Sequence, residues 1–182
     1  MAIQINGNGT ITGISVGGLP DGIVDTDMIA ANAVTSAKST IVGGKILQVQ
    51  SANPASAIQI SYGSGGYQLL TGLSVNITPT SASSKILITT SFSVYKSSAA
   101  AQVDTTLYRD STNLGQASYG FGQVADLGNY GGVNGINLQY SDSPNTTSQV
   151  TYAVYGRVNN GHNFWVMGNN VQANITAMEI AA

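Results

Sequence analysis

His162 is the only histidine in the chain, and cysteine is absent. Zinc and copper centres draw mainly on those two side chains, so no transition-metal site is expected. His162 sits between Gly161 and Asn163, in a stretch with hairpin-turn composition, where an imidazole is usually solvated. Acid–base work would fall to the carboxylates. Asp142 stands alone beside Ser143-Pro144, and Asp104 and Asp110 bracket one apolar-alternating run. No spacing sets two of them for glycoside hydrolysis, and no calcium-loop pattern occurs. Glu179 is the only glutamate, held between Met178 and Ile180, and is expected to face solvent or a subunit seam. Gly13-Ile14-Ser15-Val16-Gly17 has the letters of a nucleophile elbow. That motif works only as a strained strand-to-helix turn in an α/β sheet, with an acid and a histidine to follow. No such sheet pattern follows here. No catalytic residue, metal or cofactor is expected.

Binding residues are easier to find. Seven of the 21 residues in Gly115–Gly135 are glycine, interleaved with Tyr119, Phe121, Asp126 and Tyr130. Adaptable backbone carrying rigid aromatic plates is the composition of a binding loop, and tyrosine can stack on a sugar ring. The same composition suits an irregular crossing inside a sandwich, or close packing at an oligomer seam. Tyr119, Phe121 and Tyr130 are the contact candidates there. Asn160 and His162 are those of the neighbouring Asn159–Asn163 turn.

The elements that must hold these loops read as strands. Lys85–Tyr95 alternates, with Ile86, Ile88, Thr90, Phe92 and Val94 on one face and Thr89, Ser91 and Ser93 on the other. Val150–Val158 repeats the pattern, opposing Val150, Tyr152, Val154 and Val158 to Thr151, Ala153 and Arg157. Shorter runs follow at Ile46–Val49, Ala57–Ile60, Leu73–Ile77, Val103–Tyr108, Ile136–Tyr140, Phe164–Met167 and Ile175–Ile180. Turn residues separate them, as at Asp110–Asn113 and Ser143-Pro144-Asn145. Eight or nine short strands with this punctuation predict an all-β fold, an antiparallel sandwich of jelly-roll type.

Composition sets the limits around that body. Of the 182 residues, 64 are Ser, Thr, Asn or Gln, while charged residues are only 8%. Six basic side chains are too few to neutralise many phosphates, so no nucleic-acid partner is expected. No apolar run is long enough to span a bilayer as a helix, so no membrane insertion is expected. Residues 1–44 hold no aromatic residue, whereas all nine Tyr, three Phe and the single Trp165 lie from Tyr62 onward. A segment without large side chains cannot build its own core. Residues 1–44 are therefore expected to be an extended arm that orders against a partner, and 45–182 the head. A weak ten-residue echo runs through the arm, Ile23-Val24-Asp25-Thr26 answered by Ala33-Val34-Thr35-Ser36. Leu19-Pro20-Asp21-Gly22 has the residues of a tight turn.

Two stretches carry a resemblance. Ile11–Gly22, with Val24–Ala30 and Ala33–Lys38, is similar to the arm and stalk segments of tailed-phage virion proteins of marine and cyanobacterial type. Ser84–Ile88, Leu107-Tyr108-Arg109-Asp110 and Ile175–Ile180 resemble phage fibre heads, themselves similar to the trimeric jelly rolls of complement and tumour-necrosis-factor-like proteins. The resemblance implies a homotrimer in the virion. Its arms, through Ile14, Leu19, Asp21, Val24, Met28 and Val34, would anchor on baseplate, tail or capsid proteins. Its heads would point outward to a host surface glycan. A capsid decoration (cement) protein without receptor binding is the alternative. The stalk is much shorter here than is usual, which favours a short fibre or a capsid knob.

Overall fold

The computed structural model describes residues 4–5, 11–12, 45–61, 65–96, 98, 101–124, 133–158, 161–166 and 172–182. The chain divides into two compact units, Met1–Val42 and Gly43–Ala182. In the first, β1 (Gln4–Ile5) and β2 (Ile11–Thr12) pair antiparallel. The anchoring candidates Ile14, Leu19, Asp21, Val24, Met28 and Val34 lie outside the described residues, as does the Gly13–Gly17 motif.

The second unit is built of β3 (Ile46–Ala52), β4 (Ile58–Ser61), β5 (Gln68–Ile77), β6 (Lys85–Lys96), β7 (Val103–Arg109), β8 (Thr112–Asn113), β9 (Gly122–Val124), β10 (Val133–Asp142), β11 (Val150–Val158), β12 (Asn163–Val166) and β13 (Asn174–Ile180). Every strand anticipated from alternation is present, most of them extended by a few residues. Among the described residues there is no helix.

The strands form two antiparallel sheets. In sheet I, β6 is the spine: β10 pairs along one side, and β13 and then β12 share the other, flanked by β3 and β4. In sheet II, β11 lies between β5 and β7, and β8 and β9 pair with the far edge of β7. From β5 onward the chain passes between sheets II and I with each long strand, which is jelly-roll connectivity. Each sheet turns one apolar face inward. Ile86, Ile88, Phe92 and Val94 meet Leu70, Leu73, Leu107, Tyr152 and Val154 in one continuous core. Each such side chain contributes about 1.5–3 kcal/mol by leaving water. Gly156 lets the sheets close, because an added Cβ would lie 2.6 Å from the Phe164 ring.

One end of the core is polar. Glu179 and Asp142 both stand opposite Ile86, on β13 and β10, so Glu179, Ile86 and Asp142 make one rung across sheet I. Asp142 accepts two hydrogen bonds from Arg109 Nη1 on sheet II, at 3.0 and 2.8 Å, and one from the Tyr152 hydroxyl at 2.7 Å. Burial first, and Asp142 second, push the Tyr152 phenol far above its ordinary pKa. Glu179, expected on the outside, is fully buried. Its alternation partners are Ile175 and Ala177, both buried, and parity carries it inward with them. It accepts from Gln48 Nε2 at 2.6 Å and from the Thr80 amide and hydroxyl at 2.7 Å each. Burial alone would raise the Glu179 pKa. The hydrogen bonds from Gln48 and Thr80 outweigh it and hold the group at about 2.

A carboxyl whose pKa is lower folded than unfolded stabilises the fold above its unfolded value and loses that contribution as the pH falls toward its folded one. For Glu179 the window runs from about 4.5 down to about 2. Urea denaturation should therefore give nearly constant stability from pH 7 to 5 and a steep loss from pH 4.5 to 2.5. Glu179→Gln should be less stable at pH 7 and should flatten that slope. An unchanged slope in the variant would remove Glu179 as its cause.

Candidate functional site

The outer face of sheet II gathers aromatic side chains that lie far apart in the sequence. Tyr155 stands opposite Leu69 on one side and Thr106 on the other, and Tyr108 stands opposite Ala153. Tyr108 and Tyr155 are therefore diagonal neighbours on one face, their ring centroids 4.1 Å apart at 32°. Contacts of this kind add about 0.5–1.5 kcal/mol beyond area burial. Tyr67, just before β5, lies under Arg157, whose guanidinium carbon is 5.0 Å from the ring centroid. Burial raises the Tyr67 pKa, with Arg157 opposing it.

Arg157 organises this surface. Its Nε donates to Asp104 Oδ2 at 2.8 Å, a pair set by direct cross-strand register. Asp104 is buried and also accepts from Gln102 and Gln123, both at 3.1 Å. A second donor of Arg157 reaches the carbonyl of Ser118. That bond fastens the loop carrying Tyr119 to the sheet beside Tyr67.

The Tyr119 loop is held from within as well. Gln116 Oε1 accepts from the amides of Ser118 and Tyr119, at 2.7 and 2.6 Å. The Phe121 amide donates to Thr105 O at 2.9 Å. Gly120 has φ +64°, and a Cβ there would collide with the Thr105 carbonyl, so only glycine fits. The result is a Tyr119 side chain 56% exposed on a loop of fixed shape.

The other sequence candidates fall differently. Phe121 turns inward, half-buried against the core, with its ring 5.1 Å from that of Tyr140. His162 is half-buried in the β11–β12 connection. Tyr130 and Asn160 lie outside the described residues. Tyr67, Tyr108, Tyr155 and the Asp104–Arg157 pair were not singled out in the sequence. Alternation places Tyr155 beside Arg157 on the outward face of β11, but only the strand pairing brings β5 and β7 to them.

No described carboxylate is spare. Asp104 and Asp142 pair with arginines, Glu179 is enclosed by Gln48 and Thr80, and Asp110 accepts from the Thr151 amide at 2.9 Å. Among the described residues no group of three metal-ligating side chains exists. What the arrangement offers is adhesive: phenol faces for stacking, phenol hydroxyls, and one cation already engaged.

Fold and surface together define a jelly-roll β-sandwich with an aromatic, hydroxyl-bearing outer face. No family model matches the chain, and no curated protein does. Among solved structures it is similar to the Eiger TNF of S. frugiperda, with 14% identity, a TM-score of 0.46, and 75% of this chain aligned to 94% of that one. It is also similar to a protein of the T13 IBDV viral particle, at 15% identity and TM-score 0.44, covering 76% of this chain and 36% of that one. The infectious bursal disease virus Gx strain gives 18% identity and TM-score 0.45, with 74% and 32% covered. The chain thus spans about a third of the viral proteins it resembles. At these values neither activity nor assembly passes from them to this chain.

Because Gly120 is irreplaceable at its φ and contact, Gly120→Ala should cost about 2 kcal/mol or more by urea denaturation. It should also raise backbone amide exchange across 116–121 while leaving β6 and β13 protected. Full retention of protection in the loop would refute the rigid-loop description.

Proposed function

We propose that this chain is a structural virion protein of a tailed bacteriophage, a short trimeric fibre whose head contacts the host surface. Residues 1–44 form its anchoring arm and 45–182 its head. The observation that carries the reading is the outer face of sheet II, where Tyr108 and Tyr155 pack on each other and Arg157 holds Tyr67 and the loop of the exposed Tyr119. Immobilised tyrosines give contact area at low entropic cost, as recognition surfaces require. The phage-like sequence of the arm supports a place in the virion. On the edge strand β3, Ile46, Leu47 and Val49 are exposed, and such apolar surface favours association of copies.

Fluorescently labelled full-length protein should bind host cells saturably. The triple variant Tyr108→Ala, Tyr119→Ala, Tyr155→Ala should bind at least tenfold more weakly, since a single contact aromatic is worth about 1–3 kcal/mol. Undiminished attachment in that variant would sink the receptor-contact reading. Full addition to protein-depleted particles without any cell binding would make the chain a capsid decoration protein. Light scattering should give three times the chain mass, and a monomer would rule out the trimeric fibre.

A further inference from the structure

The outer face of sheet I, opposite in the sandwich to the tyrosine surface, carries a feature of its own. Ser91 on β6 stands opposite Asn137 of β10 on one side and Asn174 of β13 on the other. Thr89, two residues back, stands opposite Gln139 and Thr176. Two rungs of neutral amides and hydroxyls thus lie about 7 Å apart across three strands. A cleft of about 300 Å³ opens over them, lined by Thr90 and Leu138 and by five residues of the outer face, Thr89, Ser91, Asn137, Gln139 and Asn174. Among the described residues, none of these five side chains makes a hydrogen bond within the protein. Further along β6 on the same face comes Ser93, whose hydroxyl is buried and without a partner among the described residues. Tyr95 follows, opposite Trp165, with ring centroids 5.5 Å apart.

We infer that this face binds a neutral oligosaccharide, one unit in the Ser91–Asn137–Asn174 cleft and another against the Tyr95–Trp165 wall. Unused amides and hydroxyls present donors and acceptors together, the pattern that sugar hydroxyls satisfy. No charged side chain lines the cleft, so an anionic or cationic ligand would lose hydration without a countercharge. From Ser91 to Tyr95 is four residues, about 13 Å, which a trisaccharide spans. Apolar C–H faces of a sugar pack on aromatic rings, and the hydroxyl-lined cleft fixes orientation. The site is independent of the tyrosine surface on sheet II and does not rest on the virion reading.

Trp165 is the only tryptophan, so its fluorescence reports on this face alone. Full-length protein is titrated with maltotriose, mannotriose and a galactotriose, and with trigalacturonate as the anionic control. A saturable change with at least one neutral trisaccharide, and none with trigalacturonate, is the expected result. The double variant Asn137→Ala, Gln139→Ala should weaken that binding at least tenfold with unchanged melting temperature and particle mass. Trp165→Ala, followed by calorimetry, should weaken it at least fivefold. Tyr108→Ala with Tyr119→Ala should leave it intact, which separates this site from the one on sheet II. Absence of any saturable signal, an equal response to trigalacturonate, or full binding by the Asn137/Gln139 variant would overturn the proposal. So would a fall in particle mass in that variant, since the face would then be a seam between copies.

Discussion

The rung Glu179–Ile86–Asp142 is the constraint on which the rest of the sandwich depends. Two carboxylates are placed in the interior of sheet I, on either side of a fully buried isoleucine. An isolated buried charge is expensive, so each must be met by donors. Sheet II supplies them for Asp142 through Arg109 and Tyr152. The segment leaving β5 supplies two for Glu179, the amide and hydroxyl of Thr80. The apolar core is indifferent to small sliding of one sheet over the other, because the hydrophobic effect is non-directional. The carboxylates are not. Hydrogen bonds at 2.7–3.0 Å from Arg109 and Tyr152 to Asp142 set the register between the layers at this end, and the outward faces inherit their geometry from it.

The economy of charge follows from the same arrangement. Among the described residues the acids are spent on holding structure together: Asp142 and Glu179 between layers, Asp104 beneath the Tyr119 loop, Asp110 at the start of β11. Both outward faces are left largely neutral, one aromatic and one rich in amides and hydroxyls. A surface of this kind recognises by stacking and hydrogen bonding, with little long-range steering.

Much of this architecture is legible in the sequence. Period-two alternation in Lys85–Tyr95 and Val150–Val158 marked both as strands with an apolar and a polar face, because burial on one side leaves a local pattern. That they are the central strands of the two sheets emerges only from the pairing. Asp110 and Asn145 take positive φ within turns foreseen from their composition. Glu179 departs from its expected outward position because its parity is that of Ile175 and Ala177, not of its immediate neighbours Met178 and Ile180. Its partners Gln48 and Thr80 are 131 and 99 residues distant, beyond any local pattern. The tyrosine surface was missed for the same reason, being assembled from three strands that only the jelly-roll path makes adjacent. Tyr119, singled out for the glycine content of its loop, is exposed, while Phe121, two residues away, packs against the core.

The pairing of β3 with β13 has a temporal side. These are the first and last strands of the second unit, joined along six register pairs from Ile175↔Ala52 to Ile180↔Ile46. A ribosome delivers residues in order, so β3 must wait for more than a hundred others before its neighbour emerges. Until then Ile46, Leu47 and Val49 have no strand beside them, and the donors for Glu179 have nothing to hold. Closure of the sandwich therefore waits for the synthesis of β13. Its entropic cost falls on one late, long-range step of the kind that makes β-sandwiches slow to fold.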